Sequence, residues 1–187
     1  MTETDRPLRA DAARNRARVL EVAYDTFAAD GLSVPIDEIA RRAGVGAGTV
    51  YRHFPTKEDL YRAVVENRIR GIVDNGRALM DGADRGEALF SFLRSMVLDW
   101  GATDQGLTDA LAGQGIDIAT VMPEAEEQFL GLLGELLRAA QDAGTVRRDV
   151  DVLDLKAMVV GSQAMQAYRP VGAERLFEVI LDGLRAR

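Results

Sequence analysis

Between residues 36 and 54 the chain carries two apolar repeats, each too short to hold a helix by itself. Ile36, Ile39, Ala40 and Ala43 fall at helical spacing, with Pro35 suited to a first turn and Asp37 and Glu38 complementing the positive end of the helix dipole. Gly44 ends that stripe. After the turn Gly44-Val45-Gly46, a second segment from Ala47 reaches Phe54, where Pro55 breaks the chain. Isolated helices below about 12 residues are marginal in water, so both must be held by burying Val45, Val50 and Phe54 on their neighbours. Two short helices joined by a glycine turn around a buried valine form a helix-turn-helix pattern, and the second helix of such a pair enters a DNA major groove.

Around this pair the apolar spacing is helical throughout, with no sustained period-2 alternation and no Asn-Gly hairpin turn, which predicts an all-α fold. Leu20, Ala23, Tyr24, Phe27 and Ala28 place a first helix over 13–29, closed by Gly31. Thr56 and Asp59 have the spacing of a capping pair opening a helix over 57–79. Residues 81–86 read as a connector, and Leu89, Phe90, Leu93, Met96, Val97 and Trp100 form a wide stripe beyond it. We expect 101–106 to be a loop, 107–112 a short helix and the stretch to Met122 irregular, because glycines interrupt it. Pro123 opens a strong helix through Leu136 and Leu137; Asp151 and Asp154 open the next, stopped by Arg169-Pro170; a last helix carries Leu176, Phe177, Ile180, Leu181 and Leu184. The expected domains are a DNA-binding head over 1–56, a connecting helix over 57–79 and a helical domain over 80–187.

Several function classes are excluded or disfavoured. There is no cysteine, so disulfides, thiolate metal sites and cysteine nucleophiles do not arise, and a reducing cytoplasm is the expected setting. His53 is the only histidine, which argues against a metal site, and no cofactor is expected. Residues 44–49 are glycine-rich but lack both the spacing and the preceding strand of a nucleotide loop. No serine nucleophile motif or paired catalytic carboxylates can be read, so an enzyme is not expected. The polar N-terminal residues do not resemble a signal peptide, and no apolar run approaches a membrane span. The net charge of −7 conceals an asymmetry: residues 1–70 sum to +1 and residues 71–187 to −8, with Arg9, Arg14, Arg16 and Arg18 clustered ahead of the first apolar stripe.

The second helix of the pair, Ala47–His53, is slim at its start, where Ala47, Gly48 and Thr49 allow close approach to base edges. Thr49, Tyr51, Arg52 and His53 supply donors. Lys57, at the head of the next helix, is placed for a phosphate. Tyr51 admits two readings, core aromatic or phosphate contact; the second is favoured because Val50 and Phe54 already supply the buried spacing.

Ile39-Ala40, Ala43-Gly44-Val45, Gly48-Thr49-Val50-Tyr51-Arg52-His53-Phe54 and Lys57-Glu58-Asp59-Leu60 resemble the TetR family of bacterial regulators, over about residues 13–65. The resemblance implies a three-helix DNA head, an all-helical ligand domain, homodimerisation through the last two helices and repression relieved by a small molecule. Where the family often has Ser at position 46 and Ser or Thr at position 35, this chain has Gly46 and Pro35, which leaves Ser33 as a substitute phosphate contact. With little side chain at Ala47 and Gly48, specificity is expected to rest on Thr49, Arg52, the arm around Arg14, and DNA shape.

For the second domain, Phe90, Leu93, Met96, Trp100, Met122, Phe129, Leu133, Met158 and Met165 are first of all core. They could also line a largely apolar pocket anchored by Gln163, Gln166 and Tyr168. Val159, Leu176, Ile180 and Leu184 are the expected dimer contacts. The expected partners are double-stranded DNA bearing an inverted repeat, a second copy of the chain, and an apolar small molecule. Two rival readings stand beside this one: a DNA-binding regulator controlled by a protein partner or by abundance, and a carrier or enzyme retaining an inert helix-turn-helix.

Overall fold

The computed structural model describes residues 5–82 and 84–186, with the side chains of 5–10 and 102 outside the description, as is the start of the polar N-terminal segment. Among the described residues ten α-helices follow one another: α1 (Asp5–Asp30), α2 (Ile36–Ala43), α3 (Ala47–His53), α4 (Lys57–Met80), α5 (Ala88–Arg94), α6 (Gly101–Ala112), α7 (Ile118–Val121), α8 (Pro123–Asp142), α9 (Val152–Tyr168) and α10 (Ala173–Leu184). A single π-helical turn, Ser95–Asp99, lies between α5 and α6. The fold is all-α; among the described residues the only β-type pairing is an isolated bridge between Val146 and Arg185.

The chain forms two compact units. The first holds the described residues up to Arg68 together with Gly106–Asp117; the second holds Ile69–Gln105 and the described residues from Ile118 onward. Both α4 and α6 therefore contribute one end to each unit.

In the first unit, α1 packs on α2 and α3. Its core is Leu20, Ala23 and Phe27 of α1, Ile36, Ile39 and Ala40 of α2, Val50 of α3 and Leu60 and Val64 of α4, all buried. α1 ends where Gly31, at φ 79°, donates its N–H to the Phe27 carbonyl at 3.1 Å, a left-handed closure that glycine adopts without steric cost. The same helix starts earlier than its apolar stripe predicts, at Asp5 rather than near Ala13.

Residues 101–106, expected as a loop, are the start of α6. Gly106 explains the misreading. A Cβ there would lie 2.7 Å from the carbonyl oxygen of Ala28, so the glycine marks a close approach of α6 to α1 rather than a turn. Leu107 and Leu111, further along α6, are buried.

The second unit is built on one apolar cluster that joins Ile72 and Val73 of α4, Leu89, Phe90 and Leu93 of α5, Leu132, Leu133 and Leu136 of α8, Leu155 and Val159 of α9 and Phe177, Leu181 and Leu184 of α10. Local sequence sets its helix ends. Pro123 occupies the first turn of α8, with Glu124 and Glu126 beside it. Asp151 and Asp154 form a reciprocal capping box at the start of α9, with backbone-to-carboxylate distances of 2.8 to 3.0 Å. The C-terminal end returns to the α8–α9 connection: Ala186 donates to the Thr145 carbonyl at 3.0 Å, Arg147 donates to that of Leu184 at 3.0 Å, and the Arg185 guanidinium pairs with Glu87 at 2.8 Å while lying 4.2 Å from the Phe90 ring centroid.

Candidate nucleic-acid interface

The turn between α2 and α3 is set by backbone chemistry. Gly44 takes φ 67°, ψ 31°, and two N–H groups cap the end of α2: Gly44 donates to Arg41 at 3.2 Å and Val45 to Ala40 at 3.0 Å. This is the paired closure that a left-handed residue after a helix permits, and a side chain at Gly44 would be strained. Val45 is half-buried beneath it. Gly46 is extended at φ −67°, ψ 139°, and its carbonyl accepts from Thr49 at 2.8 Å, which starts α3.

Of α3 itself only Val50 is buried, at 0% exposure, so a single side chain anchors the helix to its unit. Gly48, Tyr51, Arg52 and His53 are exposed, and Ala47 and Thr49 are half-buried. Tyr51, at 45% exposure, is not a core aromatic. Phe54 closes the helix from below: it is buried, its N–H donates to the Val50 carbonyl at 2.8 Å, and the Arg16 guanidinium of α1 lies 5.3 Å from its ring centroid. The reciprocal cap between Thr56 and Asp59 then starts α4, with Asp59 N–H to Thr56 Oγ1 at 3.0 Å and Thr56 N–H to Asp59 Oδ2 at 3.0 Å. That cap fixes Lys57 in the first turn of α4, half-buried. The Thr56 hydroxyl and amide hold the Asp59 carboxyl below its usual range.

The basic residues of this unit divide by partner. Arg42 is tied to Asp30 at 2.6 Å and to Glu38 at 2.8 Å, Arg41 grips Glu38 through two nitrogens at 2.7 and 2.8 Å, and Arg62 pairs with Glu58 at 2.9 Å. Arg14 pairs with Asp11 while staying exposed. Arg52 and Lys57 have no carboxylate partner among the described residues. Their charge is thus uncommitted, and Arg52 stands on the outward face of α3. Ser33, in the connection between α1 and α2, is exposed as well.

Glu38 links α2 to itself and, through Arg42, to the end of α1. The two guanidiniums lower its carboxyl to about 2 from the ordinary 4.5. Because the folded value is depressed, the contribution of this clamp is fully present above about pH 4.5 and is lost as pH falls toward about 2. The pair is solvent-accessible, so salt should weaken it. Glu38→Gln should flatten this part of the acid limb in thermal melts run at low ionic strength across that range; an acid limb identical to that of the parent chain would contradict the clamp.

The expected small-molecule residues of the second unit are placed unevenly. Phe90, Leu93, Met96 and Leu133 are buried in one apolar cluster, against which Trp100, Phe129, Met158 and Met165 pack partly buried. Met122 is buried at the head of α8 but outside that cluster. Gln166 and Gln163 lie close enough to Gly101 that an added Cβ there would be 2.9 Å from Gln166 Oε1 and 3.9 Å from Gln163 Cγ, while Tyr168 is 92% exposed and anchors nothing inside. Two polar groups went unnoticed in the sequence: Asn75 Oδ1 and Ser162 Oγ are buried without a hydrogen-bond partner. The apolar stripes around them gave no sign of either.

The expected dimer contacts also divide. Val159 and Leu184 are buried within the second unit, at 4% and 3% exposure. Both complete the same stripe as Leu155 and Leu181. Leu176 and Ile180 are half-buried. Besides Tyr168, the large outward hydrophobic side chains on these helices are Leu153, Val160 and Val179, at 60%, 56% and 62% exposure.

A short helix held by one valine, free of bulk at its start and carrying an uncommitted arginine outward, defines a helix-turn-helix DNA-binding regulator. Comparison with known proteins narrows the class. Residues 19–64 match the pattern described as bacterial regulatory proteins, tetR family, and residues 84–186 match that described as transcriptional regulator SbtR-like, C-terminal domain. The chain belongs to the TetR family of bacterial transcriptional regulators. It is similar to the TetR transcription regulatory protein from Mycobacterium vanbaalenii, with 62% identity over 96% of this chain and 100% of that one and a TM-score of 0.81. It is also similar to a TetR transcriptional regulator from Streptomyces coelicolor, with 32% identity over 91% of this chain and 98% of that one and a TM-score of 0.77. An HTH-type transcriptional regulator of Staphylococcus aureus (strain bovine RF122 / ET3-1) is 33% identical over 75 residues, 40% of each chain. The matched part thus spans under half the length of that curated relative. Family and relatives are transcriptional regulators, not enzymes. Among the described residues no helix is long and apolar enough to cross a membrane.

Proposed function

We propose that this regulator is a homodimeric repressor, acting in the cytoplasm, whose hold on an inverted-repeat operator is released when a small molecule occupies its second unit. The observation that carries the reading is the exposed face of α3, where Arg52 has no carboxylate partner among the described residues while Arg41, Arg42 and Arg62 are all paired. In this reading residues 1–56 are the head, α4 connects, and 80–187 sense and dimerise. Arg52 and Thr49 read base edges, while Ala47 and Gly48 permit the approach. Lys57, His53, Tyr51 and Ser33 meet phosphate, and the arm around Arg14 adds to specificity. One head reaches one half-site, and two heads about one helical turn apart require a dimer. A ligand that switches such a protein from mostly bound to mostly free must distinguish the two states by roughly 3 to 5 kcal/mol.

The test is a gel-shift titration on the DNA flanking the gene. Arg52→Ala and Thr49→Ala should each weaken specific binding by about 1 to 3 kcal/mol, or about 5- to 160-fold, with melting unchanged, because both side chains leave a surface helix. Lys57→Ala should weaken operator and random DNA alike and lower the salt dependence by roughly one charge. Operator binding at parental strength by both Arg52→Ala and Thr49→Ala would remove α3 as the reading helix. A thermal-shift screen of metabolites then tests the ligand.

A further inference from the structure

Ser162 is 1% exposed, and its hydroxyl has no hydrogen-bond partner. It lies on the α9 face that carries Leu155, Val159 and Gln166, at successive spacings of four, three and four residues. A serine inside a helix commonly bonds the carbonyl one turn earlier, and this one does not. Burying a hydroxyl unpaired is unfavourable, so a group held this way invites a partner that is not part of the chain.

The neighbourhood suggests what that partner is. α9 packs against the π-helical turn, a local insertion into helix geometry that is frequent at functional sites. At Gly101, just past that turn, an added Cβ would lie 2.9 Å from Gln166 Oε1, 3.4 Å from the Met96 carbonyl and 3.9 Å from Gln163 Cγ, so the Gln166 carboxamide and the stem of Gln163 lie close by. Trp100 precedes it and packs on the apolar cluster. No ionisable side chain is buried among the described residues, where the buried polar side chains are Thr26 and Ser162. The long-range ion pairs of this unit, Arg94 with Glu178, Arg185 with Glu87 and Lys156 with Glu126, keep part of their surface in solvent. A charged guest would therefore lose its hydration and find no buried counter-ion.

Resting on the ligand-release reading above, we propose that the effector is an uncharged, mainly apolar small molecule with a hydroxyl or carbonyl group, which hydrogen-bonds Ser162 Oγ beside Trp100, Gln163 and Gln166. Ser162 then sets specificity: its hydroxyl donates to a carbonyl or accepts from a hydroxyl, and the apolar cluster takes the remainder of the molecule.

Trp100 is the only tryptophan, so its fluorescence reports on the site directly. The full-length protein would be titrated at neutral pH with octan-1-ol, octanoate and octylammonium, which share a tail and differ in charge. Octanol should give a saturable change, and the two ions should bind at least about tenfold more weakly. Ser162→Ala removes an unpaired group and so should fold with an unchanged or higher melting temperature, yet bind octanol roughly fivefold more weakly, the loss expected for one hydrogen bond. Equal affinity for the ions, no saturable signal with octanol, or parental octanol affinity in Ser162→Ala would overturn the proposal. Gel shifts with the same compounds separate this idea from the reading beneath it. Octanol binding that depends on Ser162 without operator release sinks the release mechanism and leaves the site. Release by octanol that is undiminished in Ser162→Ala sinks the site and leaves the mechanism.

Discussion

Replacing Val160 and Val179 together by glutamate should give a soluble, helical chain that sediments as a monomer and no longer shifts operator DNA at concentrations that saturate the parent. Both side chains are more than half exposed, so the substitutions cost the monomer little, and each lies on one of the last two helices. On α9 the outward row continues through Leu153, Ala157, Gly161 and Ala164, an apolar and small-residue surface with no charge. A soluble monomer gains nothing from such a surface, whereas an isologous interface uses it twice. Two glutamates per chain would place four carboxylates in one desolvated contact, and the loss of operator affinity would come entirely from the missing second head. Sedimentation of the double variant as a dimer would remove these helices from the interface. Full operator binding by a monomer would remove the two-headed mechanism as well.

The second large effect is expected at Gly106. Alanine there must displace something, because its Cβ would lie 2.7, 3.3 and 3.4 Å from the O, C and Cα atoms of Ala28. All three belong to the backbone of α1, so no rotamer change can relieve the contact. Overpacking of this kind costs about 1 to 3 kcal/mol, and for a chain of this length each kcal/mol lowers the melting temperature by roughly 2 to 4 °C. Gly106→Ala should therefore melt several degrees below the parent and show weaker operator binding, since α1 carries the packing surface for α2 and α3. By contrast Gly48→Ala, where an added Cβ meets nothing within 4 Å, should melt like the parent. Equal melting of the two variants would show that α6 does not press on α1.

Comparing these glycines shows what the sequence could reveal. Gly31 and Gly44 were legible because each ends an apolar stripe, and only a left-handed closure fits there. Gly101 and Gly106 sent the opposite message: low helix propensity suggested a loop, yet both lie in α6, where the missing side chain admits a neighbouring group. A one-dimensional pattern carries propensity but not the distance to the next helix. Helix α3 was readable because its pattern is local, with Val50 inward and Arg52 outward within seven residues. The outward face of α9 was less readable. Val159 and Val160 are neighbours of identical type, and which one faces the core depends on how α9 is rotated against α8 and α10. Similarly, nothing in the spacing of Ser162 shows that its hydroxyl lacks a partner.

The return of Gly106–Asp117 to the first unit limits what can be cut and joined. The two family patterns meet between residues 64 and 84, and that seam invites swapping a head onto another sensing domain through α4. Yet Leu107 and Leu111, buried at 4% and 0% exposure, belong to the head's unit although they lie within the downstream pattern. A transplanted head leaves those two leucines behind and meets whatever α6 its new host supplies, so a graft at α4 inherits the match at Gly106 and Ala28 as an unstated condition. In this protein the compact unit that holds the helix-turn-helix is assembled from two stretches of sequence, and it is larger than the motif.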